Sequence, residues 1–97
     1  MSYYSKSDYK FLKFEKSEEK GKMYAAILEN RSYPYRKVRI NFGDSKMENY
    51  GDKTGLNLYP HLKHGDEKRR EAYRKRHIGF IKDGYYSAGW FSYHYLW

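Results

Sequence analysis

The sequence predicts an α+β domain: a three-stranded antiparallel β-meander, then a basic α-helix and a short aromatic C-terminal helix. Three observations carry this. Residues 9–42 hold three short runs, aromatic or alternating, separated by Gly, Pro and Asn turn signals. Residues 64–77, HGDEKRREAYRKRH, carry a helix start, a helix stop and two unlike faces. The last ten residues, AGWFSYHYLW, follow a serine able to cap them. A mean hydropathy of −1.15 alone would suggest a chain too polar to fold. Aromatic residues make up 21% of it, however, with 13 Tyr, 5 Phe and 2 Trp. They supply large bodies to bury, most of them with polar tips.

The elements follow in order within one domain, residues 1–97. Residues 1–8 are a polar arm, ordered only if something holds it. YKFLKFEK (9–16) is a strand with Tyr9, Phe11 and Lys13 on one side and Leu12 and Phe14 on the other. Glu18–Gly21 is a turn with Gly21 free to take positive φ. Met23–Leu28 is a second strand, and Asn30-Arg31-Ser32-Tyr33-Pro34 a second turn. YRKVRINF (35–42) alternates, with Val38, Ile40 and Phe42 inward and a basic side outward. Gly43-Asp44-Ser45 ends that strand, and Gly43 permits a close backbone approach. Residues 46–63 form a long loop that Leu56, Leu58, Tyr59 and Leu62 would anchor on the core.

The helix begins at Asp66, whose carboxylate can accept from first-turn N–H groups. Acids lie early and bases late, as the helix dipole favours, and Gly79 supplies a left-handed stop. At about 100° per residue, Asp66, Arg69, Tyr73, Arg76 and His77 share one face, with Ala72 beside them. Lys68, Glu71, Arg74 and Lys75 take the other. The first face is expected either to dock through a structural polar network or to meet a partner, because buried charges occur mainly when paired. Ile78–Ile81 would return apolar groups to the core, and Lys82-Asp83-Gly84 would turn the chain. Ser87 would then cap the last helix. There Trp90, His94 and Trp97 recur at helical spacing with Phe91 and Tyr95 beside them, and the whole packs on the sheet.

These motifs carry a resemblance. The pattern His64-x-Asp66-x-x-Arg69…Tyr73-x-x-Arg76-His77 is preceded by Phe42-Gly43-Asp44…Tyr50. It is followed by Ala88-Gly89-Trp90-Phe91-Ser92…Leu96-Trp97. Together they resemble a small uncharacterised family of nucleocytoplasmic large DNA viruses. The resemblance implies a viral source, hence the cytoplasm or nucleus of an infected cell, or the virion. It implies no activity.

Composition narrows the function classes. No cysteine is present, so neither a disulfide framework nor a cysteine zinc site is expected. No apolar run approaches the roughly 20 residues of a membrane span. His64, Asp66 and His77 could form a general-base or metal group, but a helix places Asp66 and His77 about 16 Å apart along its axis. Ser2, Ser87 and Ser92 have no evident base partner, and no phosphate-binding glycine motif occurs. No enzyme, cofactor or metal is expected. The net charge is +8, with pI near 9.6. Five of these eight charges fall between His61 and Lys82, which favours a polyanionic partner. Lys68, Arg70, Arg74 and Lys75, joined by Arg36, Lys37 and Arg39, are the candidate phosphate contacts to DNA or RNA, with surface Tyr and Trp able to stack on unpaired bases. The alternative is a minor structural protein of a virus particle, held between capsid proteins by Tyr- and Trp-rich contacts.

Overall fold

A computed structural model describes residues 4–81 and 84–97, less the side chain of Phe80. The first three residues of the arm and the Lys82-Asp83 part of the expected turn lie outside the described residues. The chain is α+β. Strands β2 (Tyr9–Lys16), β3 (Lys22–Asn30) and β4 (Lys37–Asp44) form an antiparallel sheet in the order β2-β3-β4. The arm is held: β1 (Tyr4–Ser5) pairs antiparallel with β5 (Tyr85–Tyr86). Helices α1 (Glu67–His77) and α2 (Ala88–Tyr95) complete the fold.

The core lies between the sheet and α2. Across the strands, Phe11 pairs with Leu28 and Phe14 with Ala26, while Tyr24, Ala26 and Leu28 pair with Phe42, Ile40 and Val38. Phe91 of α2 sits on this face, its ring 5.5 Å from that of Phe42 and 5.9 Å from that of Phe14. Strict alternation would set Phe14 opposite Phe11. A register shift between Phe11 and Lys13 corrects that expectation. The extra residue is Leu12, left 38% exposed, and both phenylalanines turn inward.

The other face of the sheet is ionic, though not simply basic. Ala25 and Ile27 are buried there, and Glu15, Lys13, Asn41 and Arg39 pair with them across the strands. Glu29 lies 3.3 Å from both Lys10 and Lys37. Glu15 lies 3.0 Å from Lys13 and 2.7 Å from Arg39. These hydrogen bonds hold the two carboxyls below the usual carboxylate range, the Lys13 bond contributing most at Glu15 and the Lys37 bond most at Glu29.

Gly43 turns the end of β4 with φ +78, where a Cβ would meet Leu96 Cδ1 at 2.9 Å and Met23 Cβ at 3.1 Å. The close approach read from the sequence is thus real. It seats the end of α2 against the β3–β4 hairpin.

The long loop is anchored by polar bonds more than by leucines. Leu56 and Leu58 are exposed, contrary to expectation, whereas Tyr59 and Leu62 pack on the core. The buried Tyr24 hydroxyl donates to Asp52 and accepts from Leu58 N at 2.9 Å. Burial first, and the Asp52 bond second, push this phenol up to about 12. Main-chain N–H groups of Tyr50, Gly51 and Lys53 bond the Leu96 and Tyr95 carbonyls, so the loop closes over the end of α2.

Candidate nucleic-acid interface

Asp66 caps α1 as expected, accepting from Lys68 N at 3.0 Å and Arg69 N at 3.3 Å. The helix does not stop on a left-handed Gly79. It tightens into a 3-10 turn over Ile78–Phe80, and Ile78 is 59% exposed rather than returned to the core. No residue of α1 is fully buried. An 11-residue helix is too short to hold itself in water. Its tertiary contacts therefore decide which side chains remain for a partner.

Those contacts run to the end of the chain. The Tyr73 ring stacks on Trp97 at 4.2 Å and 7° and on His77 at 4.1 Å and 21°. His64 covers the Trp97 ring at 5.2 Å. The result is a column, His64–Trp97–Tyr73–His77. Burial raises the Tyr73 phenol above its ordinary value. His77 Nδ1 lies 2.9 Å from the Tyr73 carbonyl, and His64 Nδ1 accepts from Asp66 N at 2.9 Å. His64 and His77 are thus separated by two rings, and Asp66 is occupied as a cap.

Arg70 and Arg74 close the other side. Both donate from Nε to the Trp97 main-chain oxygen, at 2.8 and 3.2 Å. Arg74 also donates to the Tyr93 carbonyl at 3.4 Å and lies 4.4 Å from the Tyr93 ring centre. Arg70 sits 4.9 Å from the Tyr50 ring. The docking face therefore runs through Arg70, Tyr73, Arg74 and His77. It is rotated from the expected one, and two arginines assigned to phosphate are half-buried clamps.

The expected network of Asp66, Arg69, Tyr73, Arg76 and His77 is not assembled as one unit. Tyr73 and His77 are joined by stacking, Asp66 turns to the backbone, and Arg69 pairs with Glu48 at 3.2 Å. Arg69, Ala72, Tyr73, Arg76 and His77 instead line a cavity of about 660 Å³ between α1, α2 and the hairpin end at Lys22 and Asp44. Arg76 is exposed and makes no ion pair among the described residues.

The remaining cations form two groups. On α1, Lys68 and Lys75 are exposed, make no ion pair among the described residues, and flank a shallow groove with Glu71, Arg74, Ile78 and Tyr93. At the opposite end of β4, Lys37 pairs with Glu29, Arg39 pairs with Glu15, and Arg36 lies 5.1 Å from the Tyr33 ring. The seven predicted phosphate contacts are thus split between two ends of the molecule. Only Lys68, Lys75 and Arg36 lack an internal anion or carbonyl partner among the described residues.

Sequence reasoning missed Trp97 as the organising partner of α1. The one available signal was an aromatic residue ending a capped helix. Among the described residues, no group of three or more His, Asp or Glu side chains is arranged to hold a metal ion. No helix is long and apolar enough to cross a membrane. No family model, curated protein or solved structure matches the chain.

Proposed function

We propose that the protein is a small basic, non-enzymatic nucleic-acid-binding domain that contacts phosphates of DNA or RNA along α1 without strong sequence preference. One observation carries this reading. On α1, Lys68 and Lys75 at the shallow groove and Arg76 at the cavity are exposed and without carboxylate partners among the described residues, in a chain of net charge +8. Contacts of this kind supply affinity and orientation but no reading of sequence. In a large DNA virus, the source that the motif resemblance implies, such a domain would act on viral DNA or transcripts in the infected cell.

The alternative, a capsid-associated structural protein, draws on exposed Tyr and Trp. Among the described aromatic residues only Tyr33, Tyr35 and Tyr85 are exposed; both tryptophans are packed. That reading is left with little surface to use.

The test is fluorescence anisotropy with random-sequence oligonucleotides over a salt series. The logarithm of the affinity should fall linearly with log salt. Lys68→Gln, Lys75→Gln and Arg76→Gln should each lower the slope by about one. Absence of binding at low salt, or binding indifferent to salt, overturns the proposal.

A further inference from the structure

We infer that the β3–β4 turn is a stacking platform for unpaired nucleobases, which makes single-stranded nucleic acid the preferred partner. The inference rests on the nucleic-acid reading above and adds the form of the ligand.

The turn is held together without the rings of Tyr33 and Tyr35. Asn30 Oδ1 accepts from Ser32 N at 2.9 Å and Tyr33 N at 3.0 Å. Arg36 N donates to the Tyr33 carbonyl at 2.9 Å, and Asn30 N to the Arg36 carbonyl at 3.0 Å. Pro34 fixes φ inside the turn. Arg31 ties the turn to the chain before β2, its N–H to the Asp8 carbonyl at 2.8 Å and its Nε to the Lys6 carbonyl at 3.0 Å. The backbone groups named here are satisfied locally, so the fold does not require the rings of Tyr33 and Tyr35.

Those rings cover no core. Tyr35 is 76% exposed and Tyr33 50% exposed, although this chain buries or half-buries nearly all its other described aromatics. The two rings stand edge to face at 6.1 Å, and the Arg36 guanidinium holds one face of Tyr33. Residues 30–37 contain Arg31, Arg36 and Lys37 and no acid. The acids nearest in sequence are Glu29, already paired with Lys10 and Lys37, and Asp44 at the other end of β4; Asp8 reaches the turn through space, its carbonyl receiving Arg31 N–H.

Two pre-positioned rings within a cationic rim match what a single strand offers: free base faces beside phosphates. Stacking of this kind tolerates any base, and a ring on a fixed turn loses little freedom when a base covers it. A duplex keeps its base faces in its own stack, so the turn offers it charge alone.

The test compares Tyr35→Ala, Tyr35→Phe and wild type on a labelled oligothymidylate and on a duplex hairpin at one low salt concentration. Tyr35→Ala should weaken single-strand binding by roughly 5- to 150-fold. It should leave duplex binding and the salt slope unchanged, and Tyr35→Phe should bind as wild type. Equal losses on both ligands, or no loss on the single strand, overturns the platform. If the single strand is unaffected while both ligands still bind wild type, the α1 proposal stands and the turn is better assigned to a protein partner. If wild type binds neither ligand, both proposals fall together.

Discussion

Replacing Tyr73 with Ala should release α1 while leaving the sheet folded. Tyr73 lies between the Trp97 and His77 rings at 4.2 and 4.1 Å. Each aromatic pair contributes about 0.5–1.5 kcal/mol beyond area burial. Truncating a fully buried aromatic costs about 3–5 kcal/mol, and Tyr73 is only half-buried. These figures together place the loss at about 2–3 kcal/mol. It should fall on α1 specifically, because no residue of that helix is fully buried and its ties run to Trp97 and Tyr93. Residue-resolved amide exchange is the assay. Amides of Arg70 to His77 should exchange roughly 30- to 140-fold faster, at tenfold per 1.4 kcal/mol, while those of β3 keep their protection. Unchanged exchange in α1 would show that the stack carries no energy. An equal fall in α1 and β3 would show that the helix belongs to the same cooperative unit as the sheet, and the reasoning would fail.

Two further outcomes follow from the packing and the titrating groups. Gly43→Ala places a Cβ 2.9 Å from Leu96, itself buried, at φ +78; left-handed strain and overpacking together should cost about 2–4 kcal/mol in a denaturant melt, and a loss under about 1 kcal/mol would mean the hairpin end yields freely. Stability should decline at both extremes of pH. Glu15 and Glu29 have lowered folded pKa values, so their contribution is complete above the usual carboxylate range and is lost as pH falls through the folded values. High salt should shrink that acid step, since the cationic ends of all four ion pairs are exposed. Tyr24 has a raised value, so its contribution is complete below the ordinary tyrosine pKa of about 10 and is lost as pH rises toward about 12. Tyrosinate absorbance should show a phenol still titrating toward about 12, and Tyr24→Phe should remove that step.

Much of the local structure was legible because its causes are local. The first strand is observed over the residues expected. Gly21 takes positive φ in the turn that its position suggested. Asp66 and Ser87 cap their helices through side-chain oxygens, a bond formed within three residues of sequence. Alternation in β4 correctly set Ile40 and Phe42 inward. It failed in β2, where a bulge is chosen by what Phe11 and Phe14 meet on β3 and α2, not by β2 itself.

The helix face shows the same division. Periodicity placed Tyr73 and His77 together, and the structure stacks them. It also placed Arg74 outward and left Arg70 free for phosphate, which the structure corrects. Helical spacing says which residues are neighbours; it does not say which side will find a partner. That partner, the Trp97 main-chain oxygen, lies 23 and 27 residues away. It is held there by Gly43, whose missing side chain lets Leu96 settle on the hairpin, and by the loop N–H groups that bond the Leu96 and Tyr95 carbonyls. Sequence by itself determined the α+β class, the three strands of the main sheet, the two helices, their caps and the total charge, since each follows from residues near one another in the chain; the β1–β5 pair, which joins segments about 80 residues apart, it did not. Tertiary structure alone decided which cations stay free, because a guanidinium is committed by the nearest acceptor in space, and distant segments bring that acceptor to it.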